Sequence, residues 1–328
     1  MKTNKNRSYK LILIILLLAI SIFLSLFVSY KEDISSSFFN IFKMTSKTDI
    51  EIFQLLRIPR VLKALIAGGS LALAGMFIQS ISKNPLAEPY ITGISSGAAL
   101  GIICSITLFN SLNYSFFGFL GAIITAIVVI SLAGIHKYSI TKLILVGLSL
   151  NIFVGAIISL VVLLIPEKSY MMMLLLSGGI AEDNIISNNM LSIMFLTGVL
   201  GCVYCIPKLN FLRLDEKMIL QSQKQKKLDE AIILILAAYL ASISVFAAGI
   251  IGFVGIIIPQ ISKMLFGEDF RWLFISNTFL GATLMILADF LTRTLVYPLQ
   301  LPLGLIIAFI GAPIFVFFLV KKGEIFND

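Results

Sequence analysis

The length of the uncharged runs is the feature that most constrains this chain. Residues 89–135 hold no Asp, Glu, Lys or Arg over 47 consecutive positions, and residues 231–262 hold none over 32. Charges are costly at the centre of a bilayer, and about 20 apolar residues span its core of about 30 Å. The first run is therefore too long for one transmembrane helix, and the turn-forming residues 110–115 in its middle predict two helices.

The composition excludes soluble classes of protein. Hydrophobic residues make up 59% of the 328 positions, charged residues 13%, and the mean hydropathy is +1.02. A soluble domain is about 45–50% apolar and about 25% charged. We therefore exclude a soluble enzyme and a disordered chain, and we predict an all-α, polytopic membrane protein.

About ten transmembrane helices are expected. The stretches that define them are 11–30, 64–82, two spans within 89–135, 143–165, 184–207, two within 231–262, 272–297 and one within 294–320; all are uncharged except 272–297, which continues past Asp289 and Arg293. The run 11–30 is interpreted as an uncleaved first helix, because no small-residue cleavage site follows it. Residues 169–181 are too short to span and predict an interfacial or re-entrant piece.

The charge distribution predicts that both termini are cytoplasmic. Of the 25 Lys and Arg residues, 17 fall in segments that this orientation places inside and 8 in segments that it places outside. Arg57, Arg60 and Arg293 are among the 8 basic residues placed outside, where the rule disfavours them, so we expect a specific role for them.

Sequence motifs for catalysis, nucleotide or metal binding are missing. There is no P-loop, and the single histidine, His136, allows neither a multi-histidine metal site nor a Ser/His/Asp arrangement. Asp289 is the clear intramembrane carboxylate, and it can pair with Arg293 one helical turn later. An ion-coupled carrier usually shows several such groups, and a lipid-modifying enzyme needs a polar cluster, so both classes are less favoured.

Three further patterns concern packing and coupling. Gly93, Gly97 and Gly101 form one stripe at helical spacing, and residues 68–75 form a second, both typical of close helix packing. Residues 208–230 form the longest polar inside segment and contain a short amphipathic pattern. A soluble partner could push on such a segment.

Two ordered blocks of the chain resemble FecCD-type permeases, the membrane subunits of ABC importers for iron siderophores, haem and cobalamin. The first block runs Arg57-Ile-Pro-Arg60, Gly68, Gln79, Asn84-Pro-Leu-Ala-Glu-Pro89 and Gly93 to Ala98. The second runs from Ala248 through Gly255 and Pro259 to Asp289, Arg293 and Pro313. The resemblance extends from about residue 10 to residue 322 and implies the type II ABC importer permease fold, as a single domain over 1–328 with a coupling loop at 208–230.

The resemblance also implies roles for particular residues. Arg57, Arg60 and Arg293 would receive acidic residues of an extracytoplasmic binding protein. The residues matching the ATPase-coupling segment are Leu214, Asp215, Glu216, Gln221 and Ser222. Those matching the family motif and gating positions are Gln79, Asn84, Pro85, Glu88, Pro89, Gly93, Gly97, Gly255, Pro259 and Gln260. The chain departs from the family at Gln221-Ser222, where Leu-Gly is usual, and at Gln260 and Lys263, where histidine and arginine are usual.

The implied function is ATP-driven import without chemistry on the substrate. The expected substrate is a ferric siderophore, with haem second and cobalamin third; an ion-coupled secondary transporter is the alternative from another class. No cofactor is expected on this chain, since ATP-Mg would bind the partner. The expected partners are a second permease, two ATPase subunits and the binding protein, with no nucleic acid, in the bacterial cytoplasmic membrane.

Overall fold

Helices form almost all of the ordered secondary structure. The computed structural model describes residues 2–28, 51–108, 113–133, 140–180, 185–212, 223–296 and 299–325. These residues form eleven α-helices and no strand. The helices are α1 (Lys2–Phe27), α2 (Ile58–Ser82), α3 (Ile94–Thr107), α4 (Tyr114–Ala133), α5 (Ile140–Leu164), α6 (Pro166–Leu176), α7 (Ile185–Leu212), α8 (Gln223–Ala248), α9 (Val254–Phe266), α10 (Phe270–Thr294) and α11 (Leu303–Ile325).

Seven of the ten predicted membrane helices are long enough, in the described residues, to cross a bilayer. Within the described residues, seven helices are long and apolar enough to cross a membrane, and three shorter apolar helices lie at α3, α9 and α11. The three shorter helices lie where the other three spans were predicted, but α3 and α9, with 14 and 13 residues, are too short to cross a bilayer core alone. The short α6 corresponds to the segment predicted as interfacial or re-entrant.

Helix α2 forms the centre of the bundle. Of its 25 residues, 18 are buried, and it packs against α7, α8, α9 and α10. A Cβ atom at Gly68 would overlap the carbonyl oxygen of Gly281 on α10, and one at Gly75 would overlap that of Gly255 on α9. Glycine is therefore required where these backbones meet, as the stripe over 68–75 predicted.

The Gly97 stripe has the same purpose in a second helix pair. A Cβ at Gly97 would overlap Thr125 on α4, and one at Gly101 would overlap the carbonyl oxygen of Phe117.

Large apolar side chains on α1, α5 and α7, such as Leu163 at 80% exposed, face outward. A broad apolar surface of this kind is what lipid covers.

The long uncharged run 231–262 is broken in its middle. Helix α8 ends at Ala248 and α9 begins at Val254, with Gly249 and Phe253 in positive-φ conformations between them. The predicted turn is therefore present. However, the 13 residues of α9 extend only about 20 Å, too short to cross a bilayer core of about 30 Å alone.

Three helix ends meet where this break lies. The Gly179 N–H donates to the Ala248 carbonyl at 2.9 Å, and the N–H groups of Leu303 and Gly304 donate to Gly178 and Ser177 at 3.1 Å each. The end of α6, the end of α8 and the start of α11 thus satisfy one another's backbone groups. Backbone polar groups in a membrane protein must be paired internally, so these bonds allow the helices to stop at this depth.

Candidate functional site

Four charged side chains cluster where α1 and α10 end and α2 begins. This arginine cluster consists of Arg57, Arg60, Asp289 and Arg293. Asp289 is 1% exposed. Its carboxylate lies 2.9 Å from Nε of Arg60 and 3.2 Å from Nη2 of Arg293. The three arginines predicted for docking are therefore at one end of the bundle, and two of them share one buried carboxylate.

The arginine cluster also anchors the end of α1. Nη2 of Arg293 donates to Oγ of Ser25 at 2.7 Å, and Nη1 of Arg57 donates to the carbonyl oxygen of Leu26 at 2.6 Å. Carbonyl groups in the last turn of a helix have no intrahelical partner, and they carry the negative end of the helix dipole. The two guanidinium groups supply the missing donors and the opposite charge.

A cleft of about 170 Å³ opens beside the arginine cluster. Arg60 lines it together with Tyr114, Gly178, Gln300 and Pro302, so it lies at the meeting point of α6, α8 and α11. The cleft thus lies between the arginine cluster and the point where α6, α8 and α11 meet.

The second group of predicted residues forms a neutral network between α2 and α9. This glutamine network is centred on Gln79, whose Nε2 donates to the carbonyl oxygens of Gly255 at 3.1 Å and Ile256 at 3.2 Å. Gln260 donates through Nε2 to Oε1 of Gln79 at 2.8 Å and to the carbonyl oxygen of Pro85 at 3.0 Å. Four of the predicted motif residues are therefore directly joined: Gln79, Pro85, Gly255 and Gln260.

Gln260 stands where the resembled family usually has histidine, and its side chain still forms hydrogen bonds there. Its two amide N–H groups satisfy two acceptors on different segments. Lys263, one turn further along α9, lies 3.5 Å from the same Oε1 of Gln79. Glutamine and lysine at these positions thus still connect α9 to α2.

Glu88 closes a neighbouring contact across the chain. Its Oε1 accepts the backbone N–H of Phe253 at 2.8 Å, and Phe253 has a φ of 68° just before α9 begins. A non-glycine residue in this conformation is uncommon, and its backbone needs external support. Glu88 provides that support, a role that the motif alone did not reveal.

The remaining motif residues shape the segment that carries Glu88. Oδ1 of Asn84 accepts the N–H of Leu86 at 2.9 Å, and Pro89 begins a short 3₁₀ turn that ends at Gly93, where φ is 84°. Pro259 lies inside α9 and is buried. Gly97 belongs to the α3–α4 contact and is not joined to this network.

An ion pair marks the opposite end of the bundle from the arginine cluster. Lys208 near the end of α7 lies 2.7 Å from Asp229 near the start of α8, and its ammonium group also sits 4.5 Å from the centre of the Tyr204 ring. Both residues of the pair fall within the predicted coupling loop 208–230, whose ends are helical in the structure: 208–212 belong to α7 and 223–230 to α8. The coupling residues Leu214, Asp215, Glu216, Gln221 and Ser222 lie outside the described residues.

Further contacts show which ends of α1, α9 and α10 lie at this second end of the bundle. Nζ of Lys10 near the start of α1 donates to the Leu265 carbonyl at the end of α9 at 2.7 Å. Asn210 of α7 shares a surface depression with Asp269 and Arg271 at the start of α10. The start of α1 and the flanks of the coupling loop therefore share one end, and the arginine cluster occupies the other.

Sequence reasoning found some of these partners and missed others. The expected pairing of Asp289 with Arg293 is confirmed. The bond from Asp289 to Arg60 was missed, because the two residues are 229 positions apart. Ser25, Gln300 and Phe253 carried no signal, since a serine, a glutamine and a phenylalanine are ordinary in such a chain. Within the described residues, no group of three or more His, Cys, Asp or Glu residues could hold a metal ion.

Comparison with known proteins identifies the family. The profile of the FecCD transport family matches residues 13–321. An uncharacterized ABC transporter permease protein of Bacillus subtilis, YvrB, is 34% identical over 284 residues, covering 83% of this chain and 79% of that protein. The iron(3+)-hydroxamate import system permease protein FhuG of Bacillus subtilis is 32% identical, covering 84% and 85%, and the hemin transport system permease protein HmuU of Yersinia pestis is 31% identical, covering 82% and 83%.

A solved structure agrees with the sequence relatives. An inward-facing conformation of a metal-chelate type ABC transporter superposes with a TM-score of 0.84 at 30% identity, covering 96% of this chain and 99% of that one. The fold is thus that of an ABC transporter permease, as the resemblance implied. This chain belongs to the FecCD transport family of membrane permeases.

Proposed function

We propose that this chain is the permease subunit of an ATP-driven importer that moves a ferric siderophore across the bacterial cytoplasmic membrane. The observation that supports this most directly is the family match over residues 13–321, joined to relatives named for iron-chelate import. The chain itself lacks a P-loop, so the energy comes from a separate ATPase that binds ATP-Mg.

Haem is the second candidate substrate. The hemin permease HmuU of Yersinia pestis is about as similar to this chain as the hydroxamate permease FhuG, at 31% against 32% identity. A chain with one histidine offers little iron coordination of its own, which suits import of the metal inside a ready-made chelate in either case.

The two ends of the bundle support a two-sided arrangement of partners. The arginine cluster faces outward and receives acidic residues of a binding protein, because rim charges orient docking and raise the association rate. The opposite end faces the cytoplasm, where the loop between α7 and α8 meets the ATPase. Arg7, Lys10 and Lys208 lie at this end, in keeping with the positive-inside rule.

The directions of the first and last helices fit the same orientation. The first part of α1 contacts α9 through Lys10, and α11 begins near the arginine cluster and runs past Phe253 and Ile257 of the α9 region. Both termini then lie on the cytoplasmic side. A second permease subunit would complete the translocation path between two copies of this fold.

Transport in a defined system tests the proposal. The permease, its ATPase and its binding protein are reconstituted in liposomes, and uptake of an iron-55-labelled hydroxamate or citrate chelate is compared with uptake of haem. We expect chelate uptake that requires ATP on the side of the ATPase and persists when ionic gradients are collapsed. Preferred uptake of haem would replace the siderophore assignment, and uptake driven by an ionic gradient without ATP would overturn the importer class.

Charge reversal tests the docking end. The double change Arg57→Glu and Arg60→Glu should weaken binding of the binding protein at least tenfold at low salt, because attraction becomes repulsion. Lys168→Glu, which reverses a cation on α6 outside the arginine cluster, is the matched control and should bind normally. Equal affinity of the double variant and the wild type would remove the arginines from docking.

Substitution in the loop tests the coupling end. Replacing Asp215 and Glu216 by Ala should leave ATP hydrolysis in place while uptake falls, because the push from the ATPase no longer reaches the helices. The ratio of iron transported to ATP hydrolysed is the measurement. An unchanged ratio would move the coupling contact elsewhere on the chain.

A further inference from the structure

We propose that Asp289 is a positioning residue for docking, which holds Arg60 so that both of its terminal nitrogens face the outer surface. The inference rests on the proposed function, because it concerns how the arginine cluster meets the binding protein. It also divides the arginines by role: Arg60 contacts the partner through its terminal nitrogens, whereas Arg293 holds Asp289 and the end of α1 in place.

The side chain of Arg60 is held on one side only. Its Nε donates to both carboxylate oxygens of Asp289, at 2.9 Å to Oδ1 and 3.2 Å to Oδ2. A guanidinium is planar and rigid, so fixing Nε also fixes where its end points, and here Nη1 and Nη2 are directed toward Gln300. In the described part of the chain, those two nitrogens meet only the Gln300 amide oxygen, at 3.5 and 3.4 Å.

The contact between Arg60 and Gln300 is weak. Distances of 3.4–3.5 Å lie beyond the usual 2.7–3.2 Å for an N–H···O bond, so this neutral oxygen holds Arg60 loosely. Gln300 is exposed. A partner carboxylate could therefore displace it and form the shorter bidentate bond that arginine makes with carboxylates.

The geometry of Arg293 is different. Its Nη2 contacts Asp289 at 3.2 Å and Oγ of Ser25 at 2.7 Å, and its Nε lies 3.4 Å from the Asp289 carbonyl oxygen. These contacts fix it between α10 and α1. Arg293 thus fastens the carboxylate that orients Arg60, and its Nη2 is engaged inside the protein.

The charge balance explains why one carboxylate serves two arginines. Asp289 offsets the charge of one guanidinium and leaves a net positive charge on the trio. Full neutralisation would remove the attraction for an acidic partner, and no carboxylate at all would leave Arg60 and Arg293 to repel each other. A single buried acid keeps the surface positive while fixing the direction of Arg60.

The test measures binding of the transporter's own binding protein to the permease–ATPase complex in lipid nanodiscs, over a range of salt concentrations. Asp289→Asn should weaken binding at least tenfold, since the asparagine amide is uncharged and has one acceptor oxygen in place of the two that Nε now contacts. Arg60→Lys should weaken it to a similar extent, because an ammonium keeps the charge but cannot contact Asp289 and the partner in a fixed fork. Wild-type affinity in Arg60→Lys would overturn the positioning role, because point charge would then suffice.

Changes at Gln300 test the same contact without disturbing a buried residue. Gln300→Glu places a competing carboxylate beside Nη1 and Nη2 and should weaken binding at least tenfold, most strongly at low salt. Gln300→Ala is the matched control and should bind within about threefold of the wild type, since it removes only the two long contacts. Equal affinities for Gln300→Glu and Gln300→Ala would overturn the proposal.

The outcomes separate this inference from the proposed function. If the wild-type complex binds no binding protein, the proposed function fails first. If the wild type binds, and Asp289→Asn lowers the thermal unfolding midpoint while leaving the affinity unchanged, Asp289 is structural only and the positioning role is wrong.

Discussion

The arginine cluster and the glutamine network solve the same problem by different chemistry. Both join helix α2 to a distant part of the chain through buried polar side chains. The arginine cluster uses full charges where the helices end, with Asp289 1% exposed between two guanidinium groups. The glutamine network uses neutral amides and backbone carbonyls around Gln79, inside the packed interior.

Charge accounts for the difference. An unpaired buried charge costs several kcal/mol, but near a helix end the guanidinium tips can still reach water or a partner. The amides of Gln79 and Gln260 carry no net charge, and their N–H groups are satisfied by nearby acceptors. Charge thus lies where guanidinium groups meet helix ends, and neutral hydrogen bonds join α2 to α9.

The largest effect is expected from Asp289→Leu. The change leaves two buried guanidinium groups facing each other without a counter-charge, so we expect a loss of about 3–5 kcal/mol in the free energy of unfolding. Thermal unfolding in detergent monitors it. A loss below about 1 kcal/mol would show that the charges of the arginine cluster are far better hydrated than their burial indicates.

A smaller effect is expected from Gln79→Leu in the glutamine network. The change removes the donor to Gly255 and Ile256 and the acceptor for Gln260, which leaves neutral groups unpaired at about 1–3 kcal/mol. The same unfolding measurement applies. If this variant were less stable than Asp289→Leu, the greater cost assigned to an unpaired charge would be wrong.

The ion pair at the opposite end should matter less still. Lys208 and Asp229 form a single pair whose lysine side chain is 16% exposed, so Lys208→Met should cost about 1 kcal/mol. Exchanging the two residues, Lys208→Asp with Asp229→Lys, is the control that restores opposite charges. The exchange should recover most of the lost stability, and failure to do so would show that Tyr204 or packing dominates the contact.

The smallest effect is expected from Gln260→His, which restores the residue usual in the family. A neutral imidazole has one N–H donor in place of two, so one of the acceptors, Oε1 of Gln79 or the Pro85 carbonyl, loses its partner. We expect a change of less than about 1 kcal/mol in stability and normal transport. A large loss would mean that the amide geometry of Gln260 is specific to this chain.

The helices were predictable from the sequence because charge and apolar length decide them. The runs 64–82 and 143–165 correspond to α2 and α5 within a few residues. The break at Gly249 was predicted from its glycines, but the short length of α9 was not. An uncharged run does not show at which residue a helix begins. For α9 that depends on a distant partner, because Glu88 accepts the N–H of Phe253 just before the helix starts.

Contacts within one helix were predictable, and contacts across the chain were not. Asp289 and Arg293 are four residues apart, so helical geometry pairs them. Arg60 reaches Asp289 only because Gly68 and Gly281 let α2 and α10 approach closely. The docking and coupling roles stay predictions, because the family resemblance supplied them and the coupling residues lie outside the described ranges.

The bond from Lys10 to the Leu265 carbonyl has a practical consequence for producing this protein. The amino-terminal arm of α1 is fastened to the far end of α9, and Arg7 comes near Gly267 in the same place. A fusion tag joined directly before this arm would disturb the contact between Lys10 and the end of α9. Affinity handles for purification therefore belong on the carboxy-terminal tail, with a spacer.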